Sequence, residues 1–161
     1  MKVLWAPWRI QYITGDKEEG CIFCTKPKER NDKKNLILYT GETGFIIMNR
    51  YPYSNGHLMA VPYKHTNNLS DLTQEERLEL ANLTIKCTDI LQAIRPDGFN
   101  IGMNLGRAGG AGIDDHLHYH IVPRWNGDSN FMSVIADVRV MPEYLEETYE
   151  TLSKHLKSLE R

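Results

Sequence analysis

The run His116-Leu117-His118-Tyr119-His120-Ile121-Val122 places three of the chain's six histidines within five residues. In a strand, side chains alternate between faces. His116, His118 and His120 therefore share one face, while Leu117, Tyr119 and Ile121 take the other and point toward a core. Successive imidazoles would be separated by roughly 6.5–7 Å of strand rise. Such a face can hold a metal, since imidazole is a common zinc ligand. It can also do covalent chemistry on phosphorus. A neutral imidazole nitrogen attacks a phosphoryl centre and forms a phosphoramidate, which splits one hard displacement into two easier ones. Neighbouring histidines can bind the phosphoryl oxygens or protonate a leaving group, because their pKa lies near working pH.

The residues just upstream suit an anion. Gly106-Arg107-Ala108-Gly109-Gly110-Ala111-Gly112 is a loop whose backbone N–H groups, Gly110 and Gly112 among them, can approach a phosphate closely. Arg107 and Arg124 can add positive charge or simply be solvated. Asp114 and Asp115 can orient an imidazole, but the favoured reading is that they belong to the loop. A second chemical signal is Cys21-Ile22-Phe23-Cys24, a metal knuckle or redox pair by spacing.

These residues need a frame. Leu36–Tyr39 and Phe45–Met48 flank Gly41-Glu42-Thr43-Gly44 and predict a hairpin, and His57–Val61 predicts a third strand. Thr73-Gln74-Glu75-Glu76 has the form of a helix capping box. Leu80, Leu83, Cys87, Ile90, Leu91 and Ile94 follow at helical spacing, and the helix should stop near Arg95, ahead of Pro96. On that stripe Cys87 reads as a buried core thiol. Strands are expected near Phe99–Asn104 and His116–Val122, and a last helix over 142–160 through Leu145, Tyr149, Leu152, Leu156 and Leu159. The polar run Lys26–Lys34 is the best candidate for a mobile loop. The order of elements predicts an α+β fold with an antiparallel sheet of about five strands.

Bulk composition narrows the class. The chain has 161 residues, 41% hydrophobic and 25% charged, with a formal charge of −2. One domain over 1–161 is expected at this length. The near-zero charge argues against nucleic acid or a membrane surface as partner. No stretch reaches the roughly 18 apolar residues needed to span a bilayer, and the N-terminus lacks a signal-like apolar core, so a cytoplasmic location is expected.

The residues together resemble the histidine-triad family, whose pattern is His-φ-His-φ-His-φ-φ with φ apolar. The resemblance extends to Asn49-Arg50-Tyr51-Pro52-Tyr53-Ser54-Asn55-Gly56-His57-Leu58 and to Phe99-Asn100-Ile101-Gly102-Met103-Asn104. The opening Leu4-Trp5-Ala6-Pro7-Trp8-Arg9 and the segment Pro123–Met132 are similar to a bacterial branch close to diadenosine tetraphosphate phosphorylases. The resemblance implies that His118 takes a nucleoside monophosphate group from the α-phosphate, with His120 binding phosphate oxygens or assisting the leaving group. It implies that Asn49 holds the ribose and that His57 and Asn104 line the nucleotide path. Trp125 can stack on a base or serve as a rim or core residue. It further implies a structural zinc held by Cys21, Cys24, His65 and His116, within an N-terminal extension over 1–35. No organic cofactor is expected. Phosphate or water is the acceptor, and a homodimer is implied.

The chain departs from the family in two ways. Many members carry Gln or Ser/Thr shortly before the triad, where this chain has Ala111-Gly112-Ile113-Asp114-Asp115. Some transferase branches have Gln at the third position, whereas this chain has His120, as hydrolases do. Two other readings compete: a zinc-stabilised nucleotide-binding module without turnover, and a metallohydrolase using His116, His118 and His120 together. His155 belongs to neither group and should face solvent.

Overall fold

Residues 20–113, 115–128 and 141–160 are described by a computed structural model. The upstream motif Leu4–Arg9, Asp114 and the end of the Pro123–Met132 segment lie outside the described residues. Five strands form one antiparallel sheet in the order β1-β2-β3-β5-β4. They are β1 (Ile37–Thr40), β2 (Gly44–Met48), β3 (Leu58–Pro62), β4 (Gly98–Gly102) and β5 (Tyr119–Arg124). The expected α+β fold with a five-stranded antiparallel sheet is present.

The β1–β2 hairpin closes with the Gly41 N–H donating to the Gly44 carbonyl at 2.8 Å. Its turn is pinned from above, since the Glu79 carboxylate accepts the N–H groups of Glu42 at 2.7 Å and Thr43 at 2.5 Å. β2 and β3 are buried on both faces, so they read as continuous apolar runs rather than alternating ones.

Among the described residues four α-helical segments accompany the sheet: α1 (Ile22–Thr25), α2 (Asp32–Asn35), α3 (Gln74–Leu91) and α4 (Leu145–Leu159). The capping box at the start of α3 is real. Thr73 Oγ1 accepts the Glu76 N–H at 3.2 Å, and Glu76 accepts the Thr73 N–H at 2.7 Å. After α3 a single 3-10 turn, Gln92–Ile94, ends at Arg95 in the left-handed region (φ 49°). α3 and α4 cover one sheet face, with Leu80, Leu83, Cys87, Ile90, Leu91, Leu152 and Leu156 packed on Ile46, Met48, Leu58, Ala60, Leu117 and Ile121. Cys87 is fully buried, and burial pushes its thiol pKa far up. The Tyr149 hydroxyl donates to the Ile37 carbonyl at 3.0 Å, which ties α4 to β1. Within α4, His155 is half-buried rather than solvent-facing.

On the opposite face Phe23, Ile37, Phe45, Ile47, Met59 and Val61 form a second apolar cluster. This face carries the site.

Three further sequence expectations need correction. The polar run Lys26–Lys34 is not a loose loop but two short turns, Lys26–Glu29 and Asp32–Asn35. The buried Asn35 amide donates to the Lys26 carbonyl at 3.1 Å and to Glu29 at 2.9 Å, and Asn31 accepts the Lys34 N–H at 3.4 Å. Local side-chain-to-backbone bonds thus organise a segment that hydropathy marks as a connector. Second, β5 begins at Tyr119 rather than His116. The Leu117 N–H donates to the Thr66 carbonyl at 2.8 Å, and the His116 carbonyl accepts from the His118 ring at 2.8 Å. That carbonyl is therefore engaged by a side chain. Third, β4 ends at Gly102 rather than Asn104, after which Asn104 turns toward the Gly110 carbonyl at 3.5 Å. Among the described residues no helix is long and apolar enough to cross a membrane.

Candidate active site

Two chemical centres share the second sheet face. The first is built by the chain segments that run past the paired ends of β3 and β5. His65 follows β3, His116 precedes β5, and α1 brings Cys21 and Cys24 against both. The ligand atoms of Cys21, Cys24, His65 and His116 all lie within 4.8 Å of one another. His116 Nδ1 stands 3.4 Å from Cys21 Sγ, 3.6 Å from Cys24 Sγ and 3.2 Å from His65 Nδ1, and Cys24 Sγ is 3.4 Å from His65 Nδ1. Zinc bonds of about 2.0–2.1 Å to nitrogen and 2.3 Å to sulfur give tetrahedron edges of roughly 3.3–3.8 Å. The four spacings of 3.2–3.6 Å fall close to such edges, so these side chains can hold a metal ion. His116 Nε2–H donates to the Pro62 carbonyl at 2.7 Å, so Nδ1 carries the lone pair that faces the other donors. An outer hydrogen bond that fixes a ligating imidazole in this way is usual around metals.

The second centre follows directly in sequence. His118 Nδ1–H donates to the His116 carbonyl at 2.8 Å. A carbonyl only accepts, so the proton is on Nδ1 and the Nε2 lone pair is free to attack. His120 stands beside it, with ring centroids 4.7 Å apart. His120 Nδ1 is 2.9 Å from His57 Nε2. The other nitrogen of His57, Nδ1, faces two donors, the Tyr53 N–H at 3.1 Å and the Asn49 amide at 3.3 Å.

Burial lowers the pKa of His57, His116, His118 and His120. Burial pushes His57 down to about 3, helped by His120 and His118. Burial, then His118, pushes His120 down to about 4. His118 and His116 are lowered by burial as well, partly opposed by their carbonyl partners. A nucleophilic imidazole must be unprotonated, and this pocket supplies that form at neutral pH.

The sequence-derived residues divide by position. His118, His120, His57 and Asn49 meet in one cluster. The Asn49 carboxamide also accepts the Tyr51 N–H at 2.9 Å, so only one of its amide hydrogens is left over from these bonds. His57 is 1% exposed, its ring enclosed by its neighbours in the fold. Asn104 braces the glycine loop, where Gly106 (φ 68°) and Gly110 (φ 84°) take left-handed conformations and Gly112 is exposed. Trp125 sits beyond the far end of β5, its indole N–H donating to the Arg95 carbonyl at 3.0 Å, away from His118. Arg124 pairs with Asp128 and reaches Asn100 at 2.7 Å. The reading in which His116, His118 and His120 jointly hold a metal is not supported. Their ring nitrogens engage different partners, and the metal-type donor group among the described residues includes only His116 of the three.

Two residues were not singled out from sequence. Phe23, between the two cysteines, is 1% exposed and packs on His116 (5.4 Å) and His118 (5.0 Å). Tyr53 stacks on His57 at 4.9 Å and reaches His120 at 5.8 Å. The only available signal was an aromatic residue beside each motif.

Comparison with known proteins places these features in context. A family model described as the HIT domain matches residues 30–127. An "AP-4-A phosphorylase" of Mycobacterium tuberculosis is 36% identical over 159 residues, covering 93% of this chain and 82% of that protein. An adenosine 5′-monophosphoramidase of Schizosaccharomyces pombe is 27% identical, covering 86% of this chain and 99% of its own length. Among solved structures, a zinc-bound histidine triad family protein from Mycobacterium smegmatis superposes with a TM-score of 0.71 at 28% identity, covering 88% of this chain and 96% of that one.

Proposed function

The chain belongs to the HIT, or histidine-triad, family, and from that premise we propose that it cleaves dinucleoside polyphosphates at the α-phosphate through a nucleotidyl-His118 intermediate. The carrying observation is His118 itself. Its Nδ1–H is bound to the His116 carbonyl, which leaves Nε2 as a neutral nucleophile on the reactive side. Nε2 attacks the α-phosphorus, and the bond from phosphorus to the bridging oxygen breaks. Positive charge then develops on the imidazole, where the His116 carbonyl stabilises it through Nδ1–H. His120, close beside, donates its one N–H to the departing oxygen. Phosphate or water then attacks the same phosphorus and releases the nucleotide, restoring His118. The glycine loop after β4 supplies backbone N–H donors for the phosphates.

Phosphorolysis is slightly favoured over hydrolysis, on the likeness to the M. tuberculosis phosphorylase. The S. pombe relative's activity on a phosphoramidate is consistent with the same chemistry at phosphorus. Cys21, Cys24, His65 and His116 would hold a structural zinc, whose contribution is to anchor α1 against the segment that carries His118. A nucleotide-binding module without turnover would have no use for a neutral His118 Nε2 that no partner among the described residues takes up. The enzyme so proposed works as a cytoplasmic homodimer.

Diadenosine tetraphosphate incubated with and without inorganic phosphate tests the reading. ADP plus ATP formed only with phosphate identifies phosphorolysis, and AMP plus ATP without it identifies hydrolysis. Absence of both, with no nucleotidyl adduct by intact-mass measurement, would overturn the proposal.

A further inference from the structure

We infer that His57 is a positioning residue: it fixes His120 in the tautomer that carries its proton on Nε2 and so makes His120 a hydrogen donor to the reacting phosphate. The argument is one of hydrogen-bond accounting. His57 Nδ1 receives the Tyr53 N–H at 3.1 Å. A backbone N–H only donates, so Nδ1 must be an acceptor and bears no proton. The Asn49 amide, at 3.3 Å from the same atom, agrees with that assignment. A neutral imidazole has one N–H, so the His57 proton is on Nε2. That N–H points at His120 Nδ1, 2.9 Å away, which must accept. The His120 proton is therefore on Nε2.

The chain of constraint runs in one direction, from the fixed backbone of Tyr53 through two rings to the reactive pocket. Its inner member is buried and rigid. His57 is 1% exposed and follows the sharp turn at Gly56, whose φ of 72° favours glycine. A Cβ at Gly56 would come within 2.6 Å of Ile94 Cδ1. Tyr53 stacks on the His57 ring and holds its plane. With no such donor, a neutral imidazole partitions between two tautomers, and only one presents an N–H outward. His57 never needs to touch substrate to matter, which departs from the expectation that it lines the nucleotide path.

The effect on turnover rests on the proposed His118 reaction, whereas the tautomer does not. The experiment therefore uses both readouts. Nitrogen-15 NMR of the ring nitrogens at neutral pH should show His120 in the wild-type protein with a protonated Nε2 and an unprotonated Nδ1. His57→Gln, whose amide N–H can still reach His120, should keep that pattern. His57→Leu should convert it to a mixture of tautomers. An Nδ1-protonated His120 in the wild type, or an unchanged single tautomer in a folded His57→Leu protein, would overturn the inference. Should His57→Leu fail to fold, the wild-type and His57→Gln spectra still decide it.

The kinetic arm compares leaving groups. Loss of an oriented donor should lower kcat on an N-alkyl phosphoramidate of AMP, whose amine departs only with a proton, by roughly 10²-fold, the low end for general acid catalysis. The p-nitrophenyl ester of AMP, whose leaving group needs no proton, should be affected far less, and His57→Gln should recover most of the loss. Equal losses on both substrates would mean a merely structural role. If the wild-type protein turns over neither substrate, the proposed reaction fails while the NMR result still judges His57.

Discussion

Among the clustered imidazoles only His118 combines a carbonyl-bound Nδ1–H with an Nε2 that no partner in the described structure takes up. His116 directs its lone pair to the cysteines, and His57 has both nitrogens engaged. His118→Asn should therefore lower turnover on the order of 10³-fold or more, as expected for loss of a covalent nucleophile, with circular dichroism unchanged. Retained activity would remove the covalent route. The row of histidines was legible from residue type and spacing. The tautomers of His116 and His120 were not, because the deciding partners, the Pro62 carbonyl and the Tyr53 N–H, lie 54 and 67 residues away from them. Burial also sets a pH dependence. An imidazole whose folded pKa lies below the free value of about 6.5 binds fewer protons when folded. Stability should thus be complete above about pH 6.5 and fall with acidification through the window ending near 4 for His120 and near 3 for His57. Urea midpoints measured from pH 7 to pH 4 check this, and His57→Gln should flatten the slope between pH 6.5 and 5. A wild-type profile already flat across that range would contradict the assigned burial effect.

At the scale of elements, a four-residue helix has influence out of proportion to its length. α1 offers two thiols and Phe23 to the sheet, and the Phe23 ring bridges the metal-type donors and His118. The same element lies outside the span matched by the family model. Phe23→Ala should cost about 3–5 kcal/mol, the usual range for a buried aromatic. Chelation should lower the thermal midpoint of the purified protein, because a ligand set that forms only on folding stabilises the folded state when filled. If chelation leaves the midpoint unmoved and elemental analysis finds no zinc, the two-cysteine, two-histidine assignment is wrong. The hairpin, α3 and the docking of α4 followed from glycine position, capping and periodicity, each a local signal. The errors fell where specific hydrogen bonds, which hydropathy does not register, intervene. Asn35 reaches back to Lys26 and Glu29, and the Thr66 carbonyl holds Leu117 outside the ladder.

At the scale of the whole molecule the sheet has two edges, β1 and β4, and they differ. β1 is short, its Ile37 is 1% exposed, and the Ile37 carbonyl is engaged by Tyr149. β4 leaves Asn100, Ile101 and Gly102 exposed, with Ile101 at 48%, and Leu105 just beyond it at 50%. An exposed strand edge with apolar side chains is a template for pairing with another chain. For identical chains the closed solution is a two-fold interface, in which β4 of one protomer lies against β4 of its partner. That arrangement would make one continuous sheet and place a second copy near the glycine loop, which begins four residues after the end of β4 and which Asn104 braces. Light scattering should therefore return twice the chain mass. Ile101→Lys puts a charge on the edge and should shift the population toward monomer. Turnover should fall with dilution of that variant, since the loop would lose the neighbour that steadies it. A wild-type protein that scatters as a monomer at working concentration would show that the edge stays unpaired and that the site is complete within one chain.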